Sequence, residues 1–140
     1  MYQEQITHVR HHETLRSQAT NLIVVISGAL LAFLSSTAAT PGRQITLGTF
    51  LIVVNLYGLL MSLKHYERSR LHVTVASKYR DFLSQLTTID GTSLNDTRRS
   101  GRDQHKNEFP IVEKIRTYAL WSSLHLLLAM IGGFLAFFPK

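Results

Sequence analysis

The sequence predicts an all-α protein that crosses a membrane with three helices and extends long helices into the cytoplasm. Although the mean hydropathy of the chain is only +0.06, its apolar residues are concentrated in three blocks, 21–38, 46–63 and 118–138. Each block is close to the length of about 20 residues that a helix needs to cross a bilayer. Of the 15 Lys and Arg residues, 11 lie between the second and third blocks. Because Lys and Arg near short loops stay on the cytoplasmic side, the N-terminus and residues 64–117 are expected in the cytoplasm.

The first 20 residues are predicted to form a cytoplasmic helix that continues into the first span, because Gln3–Gln18 contains neither Gly nor Pro. The chain is a single membrane domain by its length. An alternative is a cleaved signal peptide, since the apolar stretch Leu22–Leu34 precedes the sequence Ser36-Thr37-Ala38, which fits a cleavage site. The leader is long, weakly basic and contains two acidic residues, which favours retention of the segment.

The first and second spans are predicted to form an antiparallel hairpin. Gly28 and Ala32 are spaced so that another helix backbone can approach closely, and Thr40-Pro41-Gly42 predicts a tight turn. Beyond the uncharged stretch Thr46–Leu63, the charged segment Lys64–Leu86 contains no Gly or Pro. We therefore expect one helix, about 60 Å long, that leaves the membrane and continues into solvent.

The cytoplasmic part of this second helix carries an apolar stripe whose members recur at spacings of three and four residues. They are Leu71, Val75, Tyr79, Phe82 and Leu86. Such a stripe needs a partner, for which we consider another copy of the chain, the N-terminal helix, or the approach to the third span. No heptad series stands out elsewhere.

The segment Thr87–Asn107 is predicted to be a polar loop, with at most a short helix near Ser93–Ser100, because it contains Gly91 and Gly101 and almost no apolar residue. Pro110 suits the first position of a helix. The last helix is therefore predicted over Ile111–Phe138.

Three polar residues within the spans are candidate functional residues. They are Ser27, Asn55 and His125. Because lipid offers no hydrogen-bond partner, such side chains face protein or a wet cavity. Two interpretations follow: they hold the helix bundle together by hydrogen bonds, or they line a polar path in an oligomer. A haem is not favoured, since a second axial histidine is missing from the spans.

A dense cationic run follows the second span. Its members are Lys64, His65, Arg68, Arg70 and His72. These residues are expected to contact anionic lipid at the inner surface of the membrane, or an anionic ligand such as a nucleotide signal. Nucleic acid is not expected, because aromatic residues at base-stacking spacing are missing. No metal site is predicted, since the chain has no cysteine and the histidines lack acidic partners at ligand spacing.

Enzymatic activity is not expected, and no cofactor is implied. His12-Glu13-Thr14-Leu15-Arg16 ends in Arg where a zinc helix requires His. There is no Gly-rich phosphate loop and no Gly-x-Ser-x-Gly sequence. The predicted cytoplasmic portion is also too small to build a sheltered pocket alone.

The pattern resembles the SLATT-like small helical membrane proteins of bacterial anti-phage conflict systems. The matching features are RHHETLRSQATN in the N-terminal helix, the turn ATPGR, and LLMSLKHYERSRLH with ASKYRDFL at the exit of the second span. The third span, IVEKIRTYALWSSLHLLLAMIG, departs from a two-span form. The resemblance implies a homo-oligomeric effector or accessory subunit of the bacterial inner membrane that forms a pore or perturbs the bilayer. Two alternatives stay open: an anchor that recruits a cytoplasmic protein, and a small constitutive channel or transporter subunit.

Overall fold

The fold is all-helical apart from one minimal hairpin, as expected. The computed structural model describes residues 1–35, 40–86, 88–89, 92–110, 114 and 116–138. The elements in chain order are α1 (Tyr2–Leu34), α2 (Pro41–Leu86), β1 (Thr88–Ile89), β2 (Thr92–Ser93), α3 (Leu94–Glu108) and α4 (Thr117–Phe137). The helices α1, α2 and α4 are long and apolar enough to cross a membrane. The prediction of three such helices is confirmed.

The helix α1 runs without a break from the polar N-terminal segment into the first apolar block. It ends at Leu34, where the backbone amide of Ser35 donates to the Leu31 carbonyl oxygen at 2.9 Å. The remainder of the predicted first span lies largely outside the described residues, at positions 36–39.

The helix α2 is continuous over 46 residues, which corresponds to about 69 Å at about 1.5 Å per residue. The predicted turn at Thr40-Pro41-Gly42 is wrong, because α2 already begins at Pro41. Proline fits the first helical position, where its missing amide hydrogen has no partner to lose and its fixed φ angle is already helical.

The central position belongs to α2, which packs against both α1 and α4. The buried residues in the middle of α2 recur every three, four or seven residues. They are Gly48, Leu51, Asn55, Gly58, Ser62, Ser69 and Ala76. This is the heptad spacing of coiled-coil packing. No heptad series stands out in the sequence because this seam is built mostly from small and polar residues and has no apolar signature.

A close approach of two backbones joins α2 and α4 at Gly48 and Gly132. A Cβ atom added to Gly48 would lie 2.8 Å from the carbonyl oxygen of Gly132, so only glycine allows this contact. Gly28 of the first span faces open space instead, and a Cβ atom added there would have no neighbouring atom within 4 Å. Its predicted close contact with another helix is therefore not made within one chain.

The prediction of a loop over Thr87–Asn107 is wrong for most of its length. Thr88 pairs with Ser93 in the antiparallel hairpin, and α3 then covers Leu94–Glu108. Asp96 lies in the first turn of α3, and His105 and Lys106 lie in the last. Acidic residues at the start and basic residues at the end of a helix stabilise its dipole, which offsets the helix-weakening effect of the glycine at position 101.

The last helix begins later than predicted, at Thr117 instead of Ile111. The residue before it, Arg116, has an extended backbone with φ −80° and ψ 121°. In an unbroken helix, residues two apart point to different sides. The extended residue instead brings the Arg116 side chain close to Tyr118, and this contact raises the pKa of Arg116. The predicted helical positions 111–113 and 115 lie outside the described residues.

Candidate functional site

The three polar residues singled out in the spans lie together at the centre of the helix bundle. Asn55 of α2 is completely buried. Its Nδ2 atom donates to the Ser27 hydroxyl of α1 at 2.8 Å and to the Leu51 carbonyl oxygen at 3.0 Å. Asn55 lies one turn beyond Leu51 on the heptad seam of α2. Its amide group therefore bonds both to a backbone oxygen of α2 and to a side chain of α1.

The third helix joins this network through His125, whose ring is also completely buried. Its Nδ1 atom lies 3.3 Å from Asn55 Oδ1, and its Nε2 atom lies 3.4 Å from the hydroxyl of Thr20 on α1. Because an amide oxygen only accepts hydrogen bonds, Nδ1 carries the ring proton and Nε2 accepts from Thr20. A Cβ atom added to Gly58 would lie 2.6 Å from the His125 ring, so this glycine makes room for the imidazole.

Together these side chains form a polar cluster that connects all three apolar helices. Its members are Thr20, Ser27, Asn55 and His125. Sequence reasoning missed Thr20, although it lies seven residues before Ser27 and therefore on the same face of α1. In one chain these side chains bond to each other, and their arrangement holds the helices in register.

A second cluster, here called the histidine cluster, lies where the polar N-terminal part of α1 packs on α2. Its members are His8, His11 and His12 of α1 and His65 and His72 of α2. The ring of His72 stacks on those of His8 and His12, with centroids 4.8 and 5.5 Å away. Nδ1 of His12 lies 3.4 Å from Nδ1 of His65, and Nδ1 of His72 lies 2.7 Å from Gln5 Oε1.

The histidine cluster disfavours protonation of its central member. Partial burial lowers the pKa of His12, and the neighbouring imidazoles lower it further, with His65 and His72 the foremost of them. Among the described residues, no group of three or more potential ligands is arranged to hold a metal ion. The clustered rings are therefore best described as a group of closely spaced, titratable side chains.

The cationic run after the second span does not form one site, because its members separate. Lys64 pairs with Glu67, and this hydrogen bond lowers the pKa of the Glu67 carboxyl. His65 and His72 turn toward α1 and join the histidine cluster. Arg68 is exposed, and Arg70 lines a cavity formed with other helices.

That cavity, here called the arginine pocket, lies between the middle of α1, the middle of α2 and the start of α4. It has a volume of about 450 Å³ and is lined by Glu13, Arg16, Tyr66, Arg70, Arg116, Thr117 and Tyr118. The rings of Tyr66 and Tyr118 lie 4.3 Å apart. The hydrogen bond with Tyr118 and the nearness of Tyr66 raise the pKa of Arg116, so the guanidinium remains charged.

The apolar stripe of α2 is covered only in part. Val75 and Tyr79 are half-buried, and the Tyr79 hydroxyl lies 3.6 Å from the sulfur of Met1. The side of the helix that packs on α1 is instead marked by Ser69 and Ala76. The stripe residues Leu71, Phe82 and Leu86 remain exposed.

No family model, no curated protein and no solved structure matches this chain. The resemblance to the SLATT-like group therefore stays a prediction from the sequence pattern.

Proposed function

We propose that this protein acts by self-assembly in a bacterial inner membrane, as an effector or accessory subunit of a defence system that forms a pore or perturbs the bilayer. The observation that carries the proposal is the exposed apolar stripe on the cytoplasmic part of α2. Leu71, Phe82 and Leu86 are 47%, 59% and 68% exposed. Exposed apolar side chains are ordinary where a helix faces lipid, but these lie beyond the apolar block, where the surroundings are aqueous.

A second copy of the chain is the partner that we favour for this stripe. The stripe follows the spacing of a helix face that packs against another helix, and α1 covers a different face of α2. Burying large apolar side chains from water contributes about 1.5 to 3 kcal/mol each. Three such residues on each copy are enough to drive association between molecules that are already concentrated in one membrane.

The architecture of the bundle supports a pore only through several copies. The polar cluster is closed within one chain, where Asn55 bonds with Ser27 and His125. The walls of an aqueous path would have to come from neighbouring copies, or from an opening of the bundle that exchanges these hydrogen bonds for water. Assembly through the cytoplasmic stripe is the step that would bring those walls together.

The rival function is that of an anchor whose stripe binds a different cytoplasmic protein. The two functions differ in what the purified chain does alone. A self-assembling effector forms oligomers and makes vesicles leaky without another protein, whereas an anchor remains monomeric and leaves vesicles sealed. A constitutive channel subunit would conduct without any trigger, and substitutions in the polar cluster would change its conductance.

The deciding experiment compares the full chain with a variant that carries Phe82→Glu and Leu86→Glu. The matched control is Val73→Glu, because Val73 is 37% exposed on the same part of α2 but lies outside the stripe. We expect oligomers by light scattering in mild detergent, and dye release from vesicles, for the parent chain and the control. The double variant should be monomeric and inactive. A monomeric parent chain that leaves vesicles sealed would contradict the proposal.

A further inference from the structure

The arginine pocket brings together cations from three separate helices. Arg16 comes from α1, Arg70 from α2, and Arg116 from the residue that precedes α4. The residues are 54 and 46 positions apart in the chain, so the fold alone creates this concentration of charge. The cavity volume of about 450 Å³ lies within the range of ligand-binding sites.

Among the described residues that line the pocket, Glu13 is the acidic one, and it is already used by protein partners. One carboxylate oxygen of Glu13 accepts from Arg16, and the other accepts from the Ser69 hydroxyl at 3.2 Å. Glu13 therefore balances the charge of Arg16. Arg70 and Arg116 form no ion pair within the part of the chain that the structure describes, which leaves two positive charges at the pocket.

The wall of the pocket also contains a buried donor without a partner. The Arg16 side chain is only 6% exposed, and its Nε atom has no hydrogen-bond partner among the described residues. Since the Nε atom is also closed off from solvent, the protein leaves a buried polar group unsatisfied beside the pocket. The helix α4 begins at Thr117 on the same wall, and the free amides of a first helical turn favour anions.

From these observations we infer that the arginine pocket binds a phosphate group. A phosphomonoester carries between about −1.5 and −2 charges at neutral pH, which matches the two uncompensated arginines. Guanidinium groups bind phosphate oxygens in bidentate fashion. The tyrosine pair Tyr66 and Tyr118 closes one side of the cavity and offers hydroxyl groups and ring surface to the remainder of the ligand.

The position of the pocket allows two sources of that phosphate. Arg70 lies seven residues beyond Leu63, the last residue of the second apolar block, which places it about 10 Å from the end of that block. This is within reach of lipid headgroups and is equally open to soluble molecules. The ligand is therefore either the headgroup of a lipid such as phosphatidic acid or a small soluble phosphomonoester. The pocket is complete in one chain, so this inference does not depend on self-assembly.

The test uses the full chain in nanodiscs and measures its thermal unfolding midpoint. One arm adds inorganic phosphate or adenosine monophosphate to phosphatidylcholine nanodiscs. The other arm replaces about a fifth of the phosphatidylcholine with phosphatidic acid and adds no soluble ligand. The variants are Arg70→Gln and Arg116→Gln, both at exposed positions, and the matched control is Arg68→Gln, which lies outside the pocket.

We expect at least one probe to raise the unfolding midpoint of the parent chain and of Arg68→Gln. Each pocket variant should weaken binding by roughly tenfold to a hundredfold, as expected for a lost charged hydrogen bond. A response to the soluble probes identifies a soluble ligand, and a response to phosphatidic acid alone identifies a lipid headgroup. The inference is wrong if no probe stabilises the parent chain, or if Arg68→Gln weakens binding as much as the pocket variants do.

Discussion

Lowering the pH from 7.5 to 5 should separate the polar N-terminal part of α1 from α2, because it charges the histidine cluster. The groups that face His12 are His8 and His11 on its own helix and His65 and His72 on α2. All of these become positive on protonation. Since the pKa of His12 is lowered in the packed state, the separated state binds protons more readily, and acid favours separation.

The size of this effect follows from the ring distances. Three pairs connect α1 with α2: His8 with His72 at 4.8 Å, His12 with His72 at 5.5 Å, and His12 with His65 at 5.7 Å. Even with the dielectric constant of water, the charged pairs together repel by about 2 kcal/mol. This corresponds to a roughly 30-fold shift toward the separated state. The packed arrangement is fully favoured above the ordinary histidine pKa of about 6.5 and is lost as the pH falls through the lowered pKa of His12.

The assay measures the distance between spin labels attached at Thr7→Cys and Thr74→Cys. The chain has no natural cysteine that would also be labelled. Both threonines are exposed, and their hydroxyls bond only within their own helices. The distance between the labels should lengthen and broaden at pH 5. His72→Gln should remove most of this response, because that ring contacts both His8 and His12. His11→Gln is the control and should keep it. Identical distance distributions at both pH values would refute the reasoning.

Two further predictions concern the bundle within the membrane. Gly48→Ala should destabilise the protein by about 1 to 3 kcal/mol, because the new methyl group would meet the Gly132 carbonyl oxygen. Gly28→Ala is the control and should be nearly neutral, because Gly28 faces open space. Unfolding by denaturant in detergent measures both effects. In a double-mutant cycle, Asn55→Leu and Ser27→Ala should couple by about 0.6 to 1.7 kcal/mol, through the 2.8 Å hydrogen bond between the two side chains. Additive effects in that cycle would mean that the hydrogen bond contributes nothing to stability.

The long helices were predictable because their signal is local. An apolar block of membrane-spanning length, or a charged segment without Gly or Pro, indicates its own conformation. The helix α3 was predicted only as a short helix near Ser93–Ser100 within a loop, for a related reason: Gly101 and the polar composition around it suggested a loop, whereas the placement of Asp96 and Lys106 at the correct helix ends was a weaker signal. The late start of α4 depends on the contact between Arg116 and Tyr118, which no periodicity reveals.

The sites required knowledge of how helices are aligned. His8 and His12 are four residues apart, and His65 and His72 are seven apart, so each pair occupies one helix face. Only the antiparallel register of α1 and α2 shows that the two faces meet. The arginine pocket likewise depends on the start of α4 lying at the level of Arg16 in α1 and Arg70 in α2. The buried seam of α2 escaped notice because glycine and serine occupy positions where a search for periodicity expects leucine.

The continuity of α2 has a mechanical consequence. Because α2 has no interior break, a tilt or rotation of its end at Leu86 is carried along the whole helix. A hinge would prevent this. Near the other end of α2, Gly48 packs against Gly132, and the two backbones leave no room for a side chain between them. A force applied near Leu86 is therefore expected to reach the contact between Gly48 and Gly132, close to the other end of the helix.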